Sequence, residues 1–266
     1  MTGIFQLVSG ILFYGCYIKN QNAGESKPNI VFILADDLGW KDVGFNGSRF
    51  YETPNLDKLA NSGIQFTDAY ANAHNCAPTR ASIMTGQYPQ RHGIFTVGRS
   101  DRGDKKPQKL IPVPNAKVLD TASISLAEML KTEGYNTCFI GKWHLGNHLE
   151  TGPYAHGFDF SVAAWERGSP RSYFSPYRNP ALKDGPVGEH LTDRLTDEAI
   201  AYLKSRTEGS PFFLYLSYYA VHAPFQAKDS LVQKYQRKKV TDEQDNAVYA
   251  AMIETLDANI GRLVSY

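Results

Sequence analysis

One cysteine stands in a short segment of unusual composition. Cys76 is followed by Pro78 and Arg80, and a run compatible with a helix begins here. The N-terminus of a helix presents free N–H groups and the positive end of the helix dipole, so it favours an anion. Pro78 suits a first turn that needs no N–H, and Arg80 adds a permanent cation. The segment predicts an oxyanion site beside a sulfur atom, although an isolated cysteine is more often a small buried residue.

Two adjacent carboxylates follow an apolar, β-branched run. Asp36 and Asp37 come directly after residues 30–35, which are typical of a buried parallel strand. Carboxylate oxygens are hard ligands, which suit Ca²⁺ or Mg²⁺ better than Zn²⁺. The pair therefore indicates a metal site. The alternative is that both carboxylates only end a strand in solvent.

Other chemically capable side chains also follow predicted strands. Lys142 and His144 are two residues apart, so on an extended segment both could face one oxyanion. His222 comes after another apolar strand and is a candidate proton donor. Taken alone, each would more often be a solvated lysine or a packed histidine.

The elements that must position these residues alternate between strand and helix. Strands are predicted at residues 30–35, 64–70, 135–140 and 211–218, and helices at 53–63, 123–134, 192–205 and 242–264. This order favours an α/β fold, a mostly parallel sheet flanked by helices, which binds ligands beyond the carboxyl ends of its strands. Residues 154–188 are rich in Gly, Pro, Ser and aromatic residues, and no structure is predicted for them.

Three segments together resemble a known family. Cys76-Ala77-Pro78-Thr79-Arg80 with Thr85-Gly86 is similar to the signature of the type I sulfatases. Residues 134–144 resemble a second signature of that family, and residues 29–37 resemble its first metal-binding segment. The resemblance runs from about residue 29 to the last residue. It implies an alkaline-phosphatase-like fold.

The resemblance also implies a nucleophile and a metal site. In this family the cysteine, here Cys76, is converted after translation to Cα-formylglycine, whose hydrate is the nucleophile. A formylglycine-generating maturation enzyme is therefore an expected partner. One Ca²⁺ ion is expected on Asp36, Asp37 and the modified residue 76. If Cys76 stays a thiol, essentially no turnover is expected.

Roles for the remaining residues follow from the same match. Arg80 is expected to support the formylglycine hydrate and the metal region, whereas Lys142 and His144 are expected to contact sulfate oxygens. His222 matches a histidine near the ester or leaving oxygen. His92, in Arg91-His92-Gly93, is expected to support the site from behind.

The function implied is hydrolysis of sulfate esters, with a sulfated carbohydrate or an aryl sulfate as substrate. Two alternatives remain open. One is a truncated, non-catalytic remnant of a sulfatase. The other is a phosphoester hydrolase of the same fold, although such relatives generally use Ser or Thr and bind zinc, so Cys76 argues against it.

The sequence also departs from the family. Members normally continue past the long helix into a strand that ends in Asp-Asn or Asp-His, completing the metal site, and later supply a further lysine. Asp245-Asn246 does not replace that pair, because it precedes the final helix. Residues 29–266 are therefore predicted to be an incomplete, N-terminal sulfatase domain, truncated at the C-terminus and with an exposed sheet edge.

Composition and the N-terminal residues indicate which partners, disulfides and location to expect. A formal net charge of +1 gives no reason to expect nucleic acid as a partner, and three cysteines do not predict a disulfide framework. Residues 1–16 read as a signal segment of possible lipoprotein type, with Cys16 as the lipid anchor, and residues 17–28 as a polar tether. The chain is expected to be exported, either as a periplasmic or membrane-anchored bacterial lipoprotein or as a secreted protein.

Overall fold

The computed structural model describes residues 27–104, 106–240 and 244–266. The predicted signal segment, the Cys16 anchor and most of the tether lie outside the described residues. Among the helices of the described residues, none combines the length and the apolar character that crossing a bilayer requires.

The centre of the fold is a sheet of four parallel strands. The strands are β1 (Ile30–Leu34), β2 (Asn136–Gly141), β3 (Phe160–Val162) and β4 (Phe212–Ser217). Their spatial order is β1-β4-β2-β3, with Ile30 opposite Phe213 and Asn136 opposite Phe212. The predicted α/β fold with a parallel sheet is confirmed. Its two outer strands are β1 and β3.

Helices cover both faces of this sheet. They are α1 (Pro54–Ser62), α2 (Cys76–Thr85), α3 (Pro89–His92), α4 (Leu126–Thr132), α5 (Leu191–Ser205), α6 (Asp229–Gln236) and α7 (Ala247–Ser265). Short 3-10 turns occur at Gly44–Asn46 and Pro153–His156. The helices predicted at 53–63, 123–134, 192–205 and 242–264 correspond to α1, α4, α5 and α7, and the helix-compatible run at Cys76 forms α2. The short α3 and α6 were not predicted.

The core is divided between the two faces by the alternation of strand residues. Leu214 and Leu216 of β4 pack in one cluster with residues of α5 and α7. Phe213 and Tyr215 of the same strand pack in a second cluster with residues of α2 and α4. A strand buried on both faces needs a continuous apolar sequence, which is the pattern that identified it.

The predicted strand at residues 64–70 is wrong. This segment has no regular structure, and Ile64, Phe66 and Tyr70 are 86%, 81% and 85% exposed. Alternating sequence makes a strand only where a neighbouring strand satisfies its backbone hydrogen bonds. No strand among the described residues pairs with this segment. Its backbone hydrogen bonds therefore have no partner strand, and the alternating sequence does not form a strand.

The Asp245-Asn246 pair lies where the sequence placed it, at the start of the last helix. Asn246 is the N-cap residue of α7, and its Oδ1 accepts a hydrogen bond of 3.0 Å from the Tyr249 N–H. Its side chain therefore serves the helix terminus. This confirms that the pair does not follow a strand.

A buried carboxylate joins the last helix to the first. Asp257 of α7, 1% exposed, accepts hydrogen bonds from the backbone N–H groups of Leu56 (2.8 Å) and Asn55 (3.2 Å) at the start of α1. It also accepts one from Asn55 Nδ2 at 2.8 Å. Its charge and lone pairs thus satisfy donors that the helix leaves unpaired.

We predict that Asp257→Ala lowers the free energy of unfolding by about 2–4 kcal/mol, because buried N–H donors lose a charged acceptor. Urea denaturation measures this. Asp197→Ala is the matched control. It removes a carboxylate that pairs with Arg262 at the surface, and it should cost less than about 1 kcal/mol. Equal losses in the two variants would contradict the capping role.

Candidate active site

Polar side chains converge at the carboxyl ends of the parallel strands. Asp36 follows β1, Lys142 follows β2, and Ser217 is the last residue of β4. Backbone hydrogen bonds lock these ends together: Asp36 N–H donates to Ala220 O (2.8 Å), and Lys142 N–H donates to Ser217 O (2.8 Å). Main-chain hydrogen bonds therefore fix the relative positions of the residues that carry the site, independently of contacts between their side chains.

Arg80 binds all three strand ends at once. Its Nη2 donates to Asp36 Oδ1 at 2.9 Å, and its Nη1 donates to Lys142 O at 2.7 Å and to Ser217 Oγ at 2.5 Å. The side chain is buried, and its Nε has no hydrogen-bond partner among the described residues. A buried, permanently charged donor without a partner points to an anionic or oxygen-bearing ligand.

Lys142 is fully buried against the same carboxylate. Its Nζ lies 2.5 Å from Asp36 Oδ2. Burial alone would raise the pKa of Asp36, but the Lys142 and Arg80 cations outweigh it and hold that pKa below its usual value. Asp36 is therefore a carboxylate at neutral pH, with a cation on each oxygen.

Cys76 is the first residue of α2, as the sequence predicted for a helix start. Its Sγ, one carboxylate oxygen of Asp36 and one ring nitrogen of His222 lie within 4.8 Å of one another. Burial raises the pKa of the Cys76 thiol, with Lys142 opposing the shift. Unmodified Cys76 is therefore a neutral thiol at physiological pH, which is a poor nucleophile.

His144 is also part of this cluster. The pKa of its imidazole is lowered to about 3, first by burial and then by the Lys142 and Arg80 cations. The ring is therefore neutral at pH 7, and its buried Nδ1 has no partner among the described residues. His144 has a φ of 60°, so the chain leaves the extended conformation at this residue.

His222 and Asp37 form the exposed side of the cluster. His222 Nδ1 lies 2.6 Å from Ala223 O, so this nitrogen carries the hydrogen and donates it. The other nitrogen, Nε2, lies 3.6 Å from Asp37 Oδ2. Asp37, with a side chain 57% exposed, is outside the group of three formed by Asp36, Cys76 and His222.

Comparison with known proteins identifies the family. The family model described as Sulfatase matches residues 28–266. The chain belongs to the sulfatase family. Its resemblance to the type I sulfatases is thereby confirmed.

Relatives of this sulfatase chain are about twice as long. It is 32% identical to a sulfatase of Formosa agariphila, with all of this chain and 59% of that protein covered. It is 34% identical to the N-acetylgalactosamine-6-sulfatases of Mus musculus and Homo sapiens, covering 90% and 89% of this chain and 46% of each relative. The chain corresponds to the N-terminal portion of a sulfatase.

Solved structures support the alkaline-phosphatase-like fold. The structure of Ps i-CgsB in complex with k-i-k-neocarrahexaose superimposes with a TM-score of 0.71 at 33% identity, covering 90% of this chain and 54% of that one. A phosphonate monoester hydrolase of Agrobacterium radiobacter gives a TM-score of 0.59 at 17% identity, covering 90% and 59%. The second likeness shows the fold alone.

Two residues that organise the sulfatase site were missed in the sequence. Ser217 accepts from Arg80, and its only sequence signal is a hydroxyl that ends an otherwise apolar strand. Tyr173 lies in the segment 154–188, for which no structure was predicted. Its Oη is 2.7 Å from Tyr219 O and 2.8 Å from His222 O, so it holds the turn that carries His222.

His92 contacts the C-terminal half of the sulfatase signature helix, α2. Its Nε2 is 3.1 Å from Ser82 Oγ on α2, and its Nδ1 accepts from the Ile94 N–H at 3.2 Å. Because Nδ1 accepts, the neutral ring carries its hydrogen on Nε2 and donates it to Ser82. A supporting role for His92 stays a prediction.

Gly141, the last residue of β2, lies directly against the main chain of Ser217 in β4. Its φ is 109°, and a Cβ there would lie 1.9 Å from Ser217 O. Gly134 has a φ of 83° but nothing within 4 Å of its Cβ position. An alanine at either position would be strained by the positive φ, but only an alanine at Gly141 would also collide with the main chain. Comparing the two substitutions therefore separates the two effects.

We predict that Gly134→Ala lowers the free energy of unfolding by about 1 kcal/mol, through strain alone. Gly141→Ala should cost more than about 3 kcal/mol, because a main-chain collision adds to the strain and pushes β2 from β4. Thermal denaturation of both variants checks this. Equal losses would show that the close approach at Gly141 is not important.

Proposed function

We propose that this chain is the N-terminal part of an enzyme that hydrolyses sulfate esters on glycans. The observation that carries the proposal is the placement of Cys76 at a helix N-terminus, where its Sγ lies within 4.8 Å of ligand atoms of Asp36 and His222. Arg80 and Lys142 supply cations next to this group. Such a site combines a place for a nucleophile with charge that can neutralise sulfuryl oxygens.

The glycan substrate class rests on the relatives. Two of them are named N-acetylgalactosamine-6-sulfatase, and a similar solved structure is described in complex with k-i-k-neocarrahexaose. An aryl sulfate is a useful probe of the same chemistry. The particular sugar and linkage are left open.

Conversion of Cys76 to Cα-formylglycine is part of the proposal. Burial keeps the unmodified thiol neutral, and a thiol that accepted a sulfuryl group would have no built-in route for releasing it. The formylglycine hydrate would supply an oxygen nucleophile and a second hydroxyl for release of sulfate. A formylglycine-generating enzyme is therefore the expected maturation partner.

We further propose that Asp36, Asp37 and the modified residue 76 hold one Ca²⁺ ion. The residues fit this group once residue 76 carries oxygen, because the donor set is then dominated by hard carboxylate and hydroxyl oxygens. With sulfur at position 76, the set of Asp36, Cys76 and His222 would resemble a zinc site more closely. When bound, the ion supplies positive charge that stabilises negative oxygens.

The protein's own side chains have distinct tasks. Arg80 and Lys142 hold Asp36 ionised and fix its orientation. His144 is neutral, and its unpartnered Nδ1 can donate a hydrogen bond to a sulfate oxygen. His222 donates from Nδ1 to a main-chain oxygen, so Nε2 can deliver a proton to the leaving oxygen when the ring is in its imidazolium form.

The remaining part of the centre would come from the second half of a sulfatase domain. Ca²⁺ takes about six to eight oxygens, more than Asp36, Asp37 and residue 76 offer. The outer strand β1 has a half-exposed Val31, and it borders a groove of about 500 Å³ lined by apolar residues that include Leu59, Phe212 and Leu263. We propose that a further strand pairs with β1 at this edge.

Export remains part of the proposal, since the glycan substrates expected of the family lie outside the cytoplasm. The predicted signal segment and Cys16 anchor would place the enzyme in the periplasm, on a membrane or in the medium. N-terminal sequencing of the protein from its native host tests this.

The direct experiment measures sulfate release by the protein purified from its native host, with Ca²⁺ and after removal of metal by a chelator. N-acetylgalactosamine 6-sulfate and an aryl sulfate are the substrates, and an aryl phosphate is the control. We expect calcium-dependent release of sulfate. No release from any sulfate ester would identify a non-catalytic remnant, and a faster zinc-dependent reaction on the aryl phosphate would identify a phosphoester hydrolase.

A further inference from the structure

A loop after β3 forms one wall of the site. The Trp165 carbonyl accepts a hydrogen bond of 2.9 Å from the His144 N–H. A Cβ at Gly168 would lie 2.3 Å from His144 Cε1, so the main chain of the loop lies directly on the imidazole ring. Only glycine allows this approach. The loop from Trp165 to Arg171 is therefore part of the entrance to the cluster around His144.

Two arginines of this loop share one aromatic ring. The guanidinium carbon of Arg167 is 5.1 Å from the centroid of Trp165, and that of Arg171 is 5.6 Å away. Trp165 is only 5% exposed, whereas both arginines are exposed. Contact with a fixed ring restrains a guanidinium while its N–H groups stay free to bind a ligand.

These two cations have no carboxylate partner within the part of the chain that the structure describes, and the exposed Glu166, which precedes Arg167 in the sequence, is paired with neither. Other arginines of the chain do form ion pairs: Arg80 with Asp36, Arg99 with Asp101, Arg194 with Glu198, and Arg262 with Asp197. Two like charges held about 5 Å from one ring repel each other. An anion between them would relieve this repulsion.

We propose that Arg167 and Arg171 form a subsite for a second sulfate group on the same glycan, next to the sulfate ester that the site would hydrolyse. The inference rests on the proposed function and adds a substrate preference to it. Planar guanidinium groups bind tetrahedral oxyanions through paired N–H donors. The enzyme should therefore select densely sulfated sugars over singly sulfated ones.

The test measures binding, so it does not depend on turnover. Calorimetry compares N-acetylgalactosamine 6-sulfate with its 4,6-disulfate, using the protein in its native assembly and carrying Cys76→Ala so that no ligand is consumed. We expect about tenfold tighter binding of the disulfate. The double variant Arg167→Gln/Arg171→Gln should lose this preference and keep its affinity for the monosulfate.

Arg237→Gln is the matched control. It removes the same charge from an exposed arginine at the end of α6, and it should leave the preference unchanged. The proposal is overturned if the unaltered loop shows no preference, if the double variant keeps it, or if both ligands weaken equally. Sulfate release by the matured protein is measured in parallel. A preference that depends on the two arginines without sulfate release would support the subsite and refute the proposed function.

Discussion

Replacing Cys76 with alanine is expected to abolish sulfate ester hydrolysis, with a loss of at least about 10⁴-fold in kcat, because the variant has no atom that can become the nucleophile. Sulfate release by protein from the native host, altered at this codon, measures the effect. The fold should survive, since Cys76 starts α2 without a hydrogen bond that the helix needs.

The control for this variant is Cys138→Ala. Cys138 lies in β2, fully buried in the core, and it is the other free cysteine among the described residues. Its loss should reduce the free energy of unfolding by about 1–2 kcal/mol while kcat stays nearly unchanged. Full activity in Cys76→Ala, or a similar loss of activity in both variants, would refute the assigned role.

Arg80→Gln is expected to have the second-largest effect, because it damages both stability and chemistry. The variant leaves Asp36 and Lys142 buried with a broken set of partners, which should lower the free energy of unfolding by about 3–5 kcal/mol. Where enough folded protein remains, kcat should fall by at least about 10²-fold, because Asp36 is no longer oriented. Urea denaturation and sulfate release measure the two effects.

Arg80→Lys separates charge from geometry. Lysine keeps the positive charge but cannot reach Asp36, Lys142 O and Ser217 together. We expect it to recover part of the stability and little of the activity. Full recovery of activity would show that the site needs only a cation at this position. Arg237→Gln should affect neither measurement.

Much of the fold could be predicted from the sequence because its two central strands, β2 and β4, are almost entirely buried. Apolar residues make up β1, most of β4 and the second half of β2, so these strands and their parallel arrangement were readable. Parallel strands bring their carboxyl ends together, and this is why residues more than 100 positions apart could be expected in one site.

What could not be predicted is the set of contacts that depends on three-dimensional packing. Nothing in the sequence pairs Arg80 with Ser217, or buries Lys142 completely against Asp36. The His144 ring lies against Gly168, which belongs to a segment without periodicity. The prediction of a strand at 64–70 was wrong for a different reason. The alternating pattern is present in the sequence, but no described strand pairs with this segment.

Mass spectrometry of the peptide that contains residue 76 tests whether this residue works as an oxidised side chain. The protein is taken from its native host, under conditions in which that host matures other sulfatases. We expect the peptide to carry an aldehyde, or its hydrate, in place of the Cys76 thiol. A peptide that contains only unmodified cysteine, in protein that still releases sulfate, would contradict it.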